Sequence, residues 1–108
     1  MTESLPTVVA DFIETVNRHD EQGFLNAFAD GAFVDDWGRV FTGRDEIKAW
    51  SDKEFIGATG TMTVTESYVD SDAVTVIADW RSTHANGLSK FVFDVAADKL
   101  ASMTIREG

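Results

Sequence analysis

Apolar residues open the chain at helical spacing. Leu5, Val9, Phe12, Ile13 and Val16 share one face, while Glu14, Asn17 and Arg18 fall mainly on the other. The spacing predicts a helix from about Leu5 to Arg18, with Ser4 as its N-cap and Pro6 tolerated in the first turn. It breaks at His19-Asp20. Asp20 then predicts the N-cap of a shorter helix, Glu21 to Ala29, with Phe24, Leu25 and Phe28 buried and Gly31 as a left-handed cap. Ala32 to Trp37 reads as a strand, Gly38 as the tip of a tight turn, and Arg39 to Thr42 as the returning arm. A third helix, Gly43 to about Phe55, carries Ile47 and Trp50 on one face. Thr42 or Gly43 caps it, with Asp45 or Glu46 in its first turn.

From Thr59 onward the pattern alternates. Thr61–Val69, Ala73–His84, Leu88–Val95 and Leu100–Arg106 read as strands rich in Val, Thr, Ile and Phe. The turns are Asp70-Ser71-Asp72, Asn86-Gly87 and Ala97-Asp98. Asn-Gly is the strongest of these signals, because both residues accept the positive φ of a type I′ turn. A two-residue loop there would pair Ala85 with Leu88, Trp80 with Phe93, Ser82 with Phe91 and Ala78 with Val95. That register gives one aromatic face, joined by Val74 and Val76. The opposite face carries Thr75, Ile77, Asp79, Arg81, Lys90, Val92 and Asp94. Asp79 would oppose Asp94, with Arg81 close enough to neutralise both. The expected fold class is α+β: a single domain whose aromatic sheet face packs on the helices. Its mixed face meets water or a second subunit, and Ile77 and Val92 among paired charges suit a dimer interface.

Nearly the whole chain resembles the nuclear transport factor 2-like superfamily, and within it the small SnoaL-like proteins. The matching segments are Phe12-Ile13-Glu14-Thr15-Val16-Asn17-Arg18-His19-Asp20, Phe28-Ala29-Asp30-Gly31-Ala32-Phe33-Val34-Asp35-Asp36, Phe41-Thr42-Gly43-Arg44-Asp45-Glu46-Ile47 and Lys99-Leu100-Ala101-Ser102-Met103-Thr104-Ile105. The resemblance implies a cone: three N-terminal helices packed on a curved, mainly antiparallel sheet, with an apolar pocket at the open end. It also implies a homodimer through the outer sheet face (Ile77, Asp79, Arg81, Val92, Asp94). It does not fix a function, because this superfamily hosts isomerases, cyclases, hydrolases and non-catalytic binding domains.

Composition narrows the partners. The 108 residues carry a net charge of −10, from 19 acidic and 9 basic side chains, with no basic cluster to displace counterions from phosphates. Nucleic acid and anionic membrane surfaces are therefore not expected partners. Cysteine is absent, which excludes disulfide and thiolate chemistry. Met1 to Pro6 lacks a basic region followed by an apolar run, so a signal peptide is not expected and a cytoplasmic location is. No cofactor or metal motif is present.

Candidate chemistry centres on Asp36. In ketosteroid isomerases, which share this fold, an Asp ending the equivalent strand is the general base, and Val34-Asp35-Asp36 matches that local pattern. The isomerase's Tyr falls on Phe12, and its partner Asp on Phe91, or on Lys90 if the register slips by one. None of these can donate as a neutral acid, which argues against ketosteroid isomerase activity. Two readings of Asp36 stand: turn chemistry ahead of Gly38, or a catalytic, ligand-contacting carboxylate. Asp79, Arg81 and Asp94 resemble the Asp-Arg-Asp set of limonene-type epoxide hydrolases, yet point away from the aromatic face, as a structural ion-pair cluster would. His84 is either a solvated loop neighbour or overhangs the pocket. His19 at a helix end needs no functional role. Phe12, Val16, Phe28, Trp37, Trp50, Phe55, Trp80 and Phe91 are the expected lining for a small apolar molecule. The expected function is therefore binding of such a molecule, with Asp36 as general base of a cofactor-free isomerase, cyclase or hydrolase. The alternative is a non-catalytic ligand-sensing or dimerisation domain whose own side chains, Trp50 and Trp80 among them, fill the pocket. A third reading is a module that docks a partner protein through a large exposed apolar patch.

Overall fold

The computed structural model describes residues 5–108. Helices α1 (Thr7–Asn17) and α2 (Glu21–Asn26) lead into strands β1 (Phe28–Asp36) and β2 (Arg39–Thr42). Helix α3 (Gly43–Glu54) and a 3-10 turn (Ile56–Ala58) follow. Strands β3 (Thr61–Asp70), β4 (Ala73–Arg81), β5 (Gly87–Ala96) and β6 (Lys99–Glu107) complete the chain. The six strands form one sheet in the order β2-β1-β6-β5-β4-β3. Only β1 and β6 run parallel. The expected α+β architecture, helices on one face of a mainly antiparallel sheet, is the one observed.

Alternation places Val74, Val76, Ala78 and Trp80 of β4 beside Phe91 and Phe93 of β5 on the inner face, all buried. Phe12 of α1 docks there, with ring centroids 5.4 Å from Phe93, 5.6 Å from Phe24 and 5.7 Å from Phe28. These rings form the centre of the core under α1 and α2. Asn17 ties the end of α1 to β3: its side chain donates to the Met62 carbonyl at 2.9 Å and accepts from the Met62 N–H at 2.7 Å.

Several boundaries differ from the sequence reading. The proposed Ser4 cap lies outside the described residues, and Pro6 takes the N-cap position of α1. Helix α2 stops at Asn26 instead of Ala29. Its last carbonyls are claimed from elsewhere: Arg44 Nε donates to Leu25, Lys99 Nζ to Asn26, and the Leu100 N–H to Ala27. The chain therefore enters the sheet at Phe28, opposite Leu100. Gly31 is not a helix cap; its φ of 76° sits where the β1 register shifts between Phe28 and Phe33. Asp20 does cap α2, accepting from the Gly23 N–H at 3.1 Å. Thr42 caps α3, with Glu46 reaching back to its N–H at 2.9 Å.

The β4–β5 register is also corrected. Trp80 pairs with Gly87, Val74 with Phe93 and Val76 with Phe91, so the loop spans residues 82–86 and Ala85 does not pair with Leu88. Asn86 does not form a two-residue turn. Its side chain accepts from the Ser82 N–H, while Ser82 Oγ accepts from the N–H groups of His84 and Ala85. The shift is an even number of residues, so each side chain keeps its expected face. Asp79 now opposes Leu88, not Asp94. Arg81 pairs with Asp79 at 3.1 Å, and Asp94 accepts from Ser102 Oγ at 3.0 Å. The expected Asp79-Arg81-Asp94 cluster does not form.

Phe12→Ala is expected to destabilise the fold by about 3–5 kcal/mol, the cost of emptying a ring-packed core site. Asn17→Ala should cost about 2 kcal/mol, because both Met62 backbone groups lose their partner. Urea unfolding of each variant measures both values.

Candidate functional site

A partly enclosed hollow of about 170 Å³ opens at the end of the sheet away from Phe12. It is bordered by Asp36, Trp37, Arg39, Trp50, Glu54, Phe55, Trp80, His84, Ala85, Ser89, Phe91 and Ile105. Each element delivers its residues by simple geometry. Asp36 ends β1 on the inward side, next to Ile105 of β6. Arg39 begins β2 directly opposite Asp36. Trp50 and Glu54, four residues apart, lie on one face of α3. The five-residue loop brings His84 over the mouth.

The apolar wall is a ring stack. Trp50 lies on Phe55 at 4.9 Å and 25°, and Phe55 lies on Trp80 at 4.6 Å and 9°. Phe41 continues the stack against Trp50 at 5.9 Å. Gly60 makes room for it, since a Cβ there would come within 1.9 Å of the Trp80 ring. These rings spend their faces on one another, so the hollow between them and β5 is small.

The polar end is a chain of charged groups. Arg39 donates two hydrogen bonds to Glu54, at 2.9 and 2.6 Å, and one to Asp36 Oδ2 at 2.5 Å. The Trp50 indole N–H donates to the same Asp36 oxygen at 3.0 Å. His84 Nε2 stands 3.2 Å from Glu54. Among the described residues, Asp36 is the one buried charged residue. Both of its hydrogen bonds fall on Oδ2, and no buried side-chain polar atom among the described residues lacks a partner. Oδ1 makes no hydrogen bond and is not buried away from solvent, and Asp36 borders the hollow. The Arg39 hydrogen bonds hold the Glu54 carboxyl below its ordinary value against the opposing effect of burial, with smaller help from His84. They also raise Arg39 further above its ordinary range.

Asp35 points to the other face. It accepts from Arg106 at 3.0 and 3.2 Å and from the Gly38 N–H at 2.8 Å, and its carboxyl is lowered, chiefly by Arg106. The two adjacent acids thus divide their roles: Asp35 holds the turn and Asp36 faces the hollow.

Of the sequence-selected lining, Trp37, Trp50, Phe55, Trp80 and Phe91 border the hollow with Asp36. Phe12, Val16 and Phe28 do not; they are buried in the core, where Phe12 backs a separate recess bordered by Thr7, Asp11 and Asp98. Trp50 and Trp80 narrow the hollow without plugging it. Arg39 and Glu54 were missed. Arg39 read only as a strand residue and Glu54 as a helix end, and nothing local in the sequence marks their pairing across 15 residues. Among the described residues no group of acidic or imidazole side chains is arranged to hold a metal ion, and no helix is long and apolar enough to cross a membrane.

Residues 9–103 match the family model of the SnoaL-like domain. No characterised sequence with a curated description matches the chain. Solved structures share its fold. A proposed polyketide cyclase from Sinorhizobium meliloti superposes with a TM-score of 0.83 at 23% identity, over 94% of this chain and 95% of that one. An epoxide hydrolase/cyclase-like enzyme of pyran ring formation in the polyether salinomycin gives 0.84 at 20%, over 94% and 88%. A Mycobacterium tuberculosis protein in complex with estradiol-17β-hemisuccinate gives 0.79 at 19%, over 94% and 91%.

Glu54→Gln is expected to lower stability at neutral pH. A carboxyl depressed in the folded state stabilises the fold above its unfolded value, near 4.5, and loses that contribution as pH falls through the folded value. The gap between wild type and variant should therefore narrow below about pH 4.5. Urea unfolding at pH 7 and pH 3 measures it.

Proposed function

We propose that this chain, which belongs to the SnoaL-like domain family, binds a small, mainly apolar molecule in the hollow and sets its polar end against Asp36. The observation that carries this reading is the half-engaged carboxylate. Asp36 Oδ2 is fixed by Trp50 and Arg39, leaving Oδ1 open to accept a hydrogen bond or a proton from a bound molecule. So placed, Asp36 serves as the general base of a cofactor-free proton transfer, the step that isomerases, cyclases and hydrolases share. Arg39, between Asp36 and Glu54, keeps the oxygen cluster from repelling itself and offers positive charge to a developing oxyanion. The neighbouring structures of a cyclase-like enzyme and a steroid complex support a ligand of this general kind. The volume of about 170 Å³ is below the usual range for ligand sites and fits one or two rings rather than four.

The small volume also favours a second reading, a non-catalytic sensing domain whose ring stack fills most of the cone. Both readings require binding at Asp36; they separate on chemical turnover.

We also propose a homodimer through the outer sheet face. That face exposes Phe33, Val40, Tyr68 and Leu88, and carries Ile77 and Val92. Its charges, Asp35, Glu66, Asp70, Asp79 and Asp94 against Arg81, Lys90 and Arg106, leave an excess of only two acids on a chain of net charge −10. Two such faces can therefore approach each other with little repulsion.

2-Naphthol and naphthalene, titrated into the protein and followed by 1H–15N NMR, test the binding reading. The hydroxyl probe should bind about tenfold tighter, the worth of a hydrogen bond to a charged acceptor. Asp36→Asn should remove most of that preference. Equal affinity of wild type for the two probes would sink it. For the dimer, light scattering should give twice the chain mass for wild type and the single-chain mass for Phe33→Glu; a monomeric wild type would rule it out.

A further inference from the structure

The turn between β1 and β2 holds a residue that its backbone disfavours. Asp36 pairs with Arg39, so the loop is the two residues Trp37 and Gly38, with φ of 56° and 91°. Two successive positive φ values define a type I′ turn, where Asn, Asp or Gly normally precedes the glycine. A bulky side chain in this region is a conformational outlier. Four other non-glycine residues among the described ones adopt positive φ, but of these five Trp37 alone carries a large apolar ring.

The turn does not need that ring. The Gly38 N–H donates to Asp35 Oδ1 at 2.8 Å, Arg106 fixes Asp35 from the neighbouring strand, and the Trp37 N–H donates to the Ile105 carbonyl at 3.3 Å. Nor does the core use it. Trp37 is 60% exposed, the most exposed of the large apolar residues, and takes part in none of the ring pairs. Yet it borders the hollow, next to Asp36 in sequence, in a lining that also includes Arg39 and His84. Trp50, Phe55 and Trp80 have committed ring faces to one another, whereas Trp37 has committed neither.

We infer that Trp37 is the specificity-determining residue of the hollow, its indole lying against the outward face of a flat, ring-bearing ligand whose hydroxyl reaches Asp36. The inference rests on the binding reading above and adds the ligand's shape: a planar ring system that spans from Asp36 to the mouth. Backbone strain held at one exposed side chain beside a cavity is what a recognition residue shows, because the missing contact is supplied by the ligand.

Trp37→Asn and Trp37→Phe, titrated with 2-naphthol by calorimetry and melted without it, test this. Trp37→Asn relieves the turn, so its Tm should equal or exceed that of wild type, while its 2-naphthol affinity falls about fivefold to tenfold, the worth of one aromatic contact. Trp37→Phe should keep most of the affinity. Undiminished binding by Trp37→Asn overturns the inference and leaves the binding reading intact. A lowered Tm for Trp37→Asn also overturns it, because the ring would then be serving the fold. Failure of wild type to bind 2-naphthol overturns both.

Discussion

A carboxylate can stay inside an apolar hollow only if donors replace the water it has lost, and that constraint organises this molecule. Asp36 is held by an indole N–H and a guanidinium on a single oxygen. Trp50 can reach it only if α3 crosses the open end of the sheet at one depth. Arg39 can reach it only if β1 and β2 join in a two-residue turn. Glu54 then anchors Arg39 from the same helix face that carries Trp50. The polar end of the hollow and the packing of α3 are thus one requirement met from two sides.

The ring stack answers the same requirement from the apolar side. Phe41, Trp50, Phe55 and Trp80 follow one another across three elements and the chain that joins them, and Gly60 clears the space Trp80 occupies. By packing face to face they fix the Trp50 indole in the orientation Asp36 needs. They also occupy the apolar side of the hollow, which leaves it a volume of about 170 Å³. The β4–β5 loop closes the arrangement by placing His84 beside Glu54. Asp36, Arg39, Glu54 and His84 therefore form one connected set rather than four separate side chains.

The alternating pattern of Val74, Val76, Ala78, Trp80, Phe91 and Phe93 was enough to assign the inner face, because strand parity survives an even shift in register. The register itself was not legible. Asn86-Gly87 signals a tight turn, but the Ser82 hydroxyl and the Asn86 amide bond to loop backbone instead, and those partners are not apparent from the dipeptide. The end of α2 was hidden for a similar reason: Arg44, Lys99 and Leu100, distant in sequence, take the carbonyls that would have continued the helix. Asp36 stands out through the resemblance of Val34-Asp35-Asp36 to the base-bearing strand of ketosteroid isomerases; those residues alone read equally as turn chemistry. Its partners Arg39 and Glu54 do not stand out, since their pairing depends on how α3 lies over β1 and β2. Phe12, Val16 and Phe28 suit a lining as well as a core, because the two draw on one apolar inventory; only packing separates them.

The hydrogen bond from Trp50 to Asp36 is the contact on which site and fold converge, and the Trp50 indole N–H resonance reports it directly. Followed by 1H–15N NMR, that resonance should exchange slowly with solvent and shift when Asp36 is replaced by Asn. An indole proton that exchanges like that of a solvent-exposed tryptophan and is unmoved by Asp36→Asn would contradict the account.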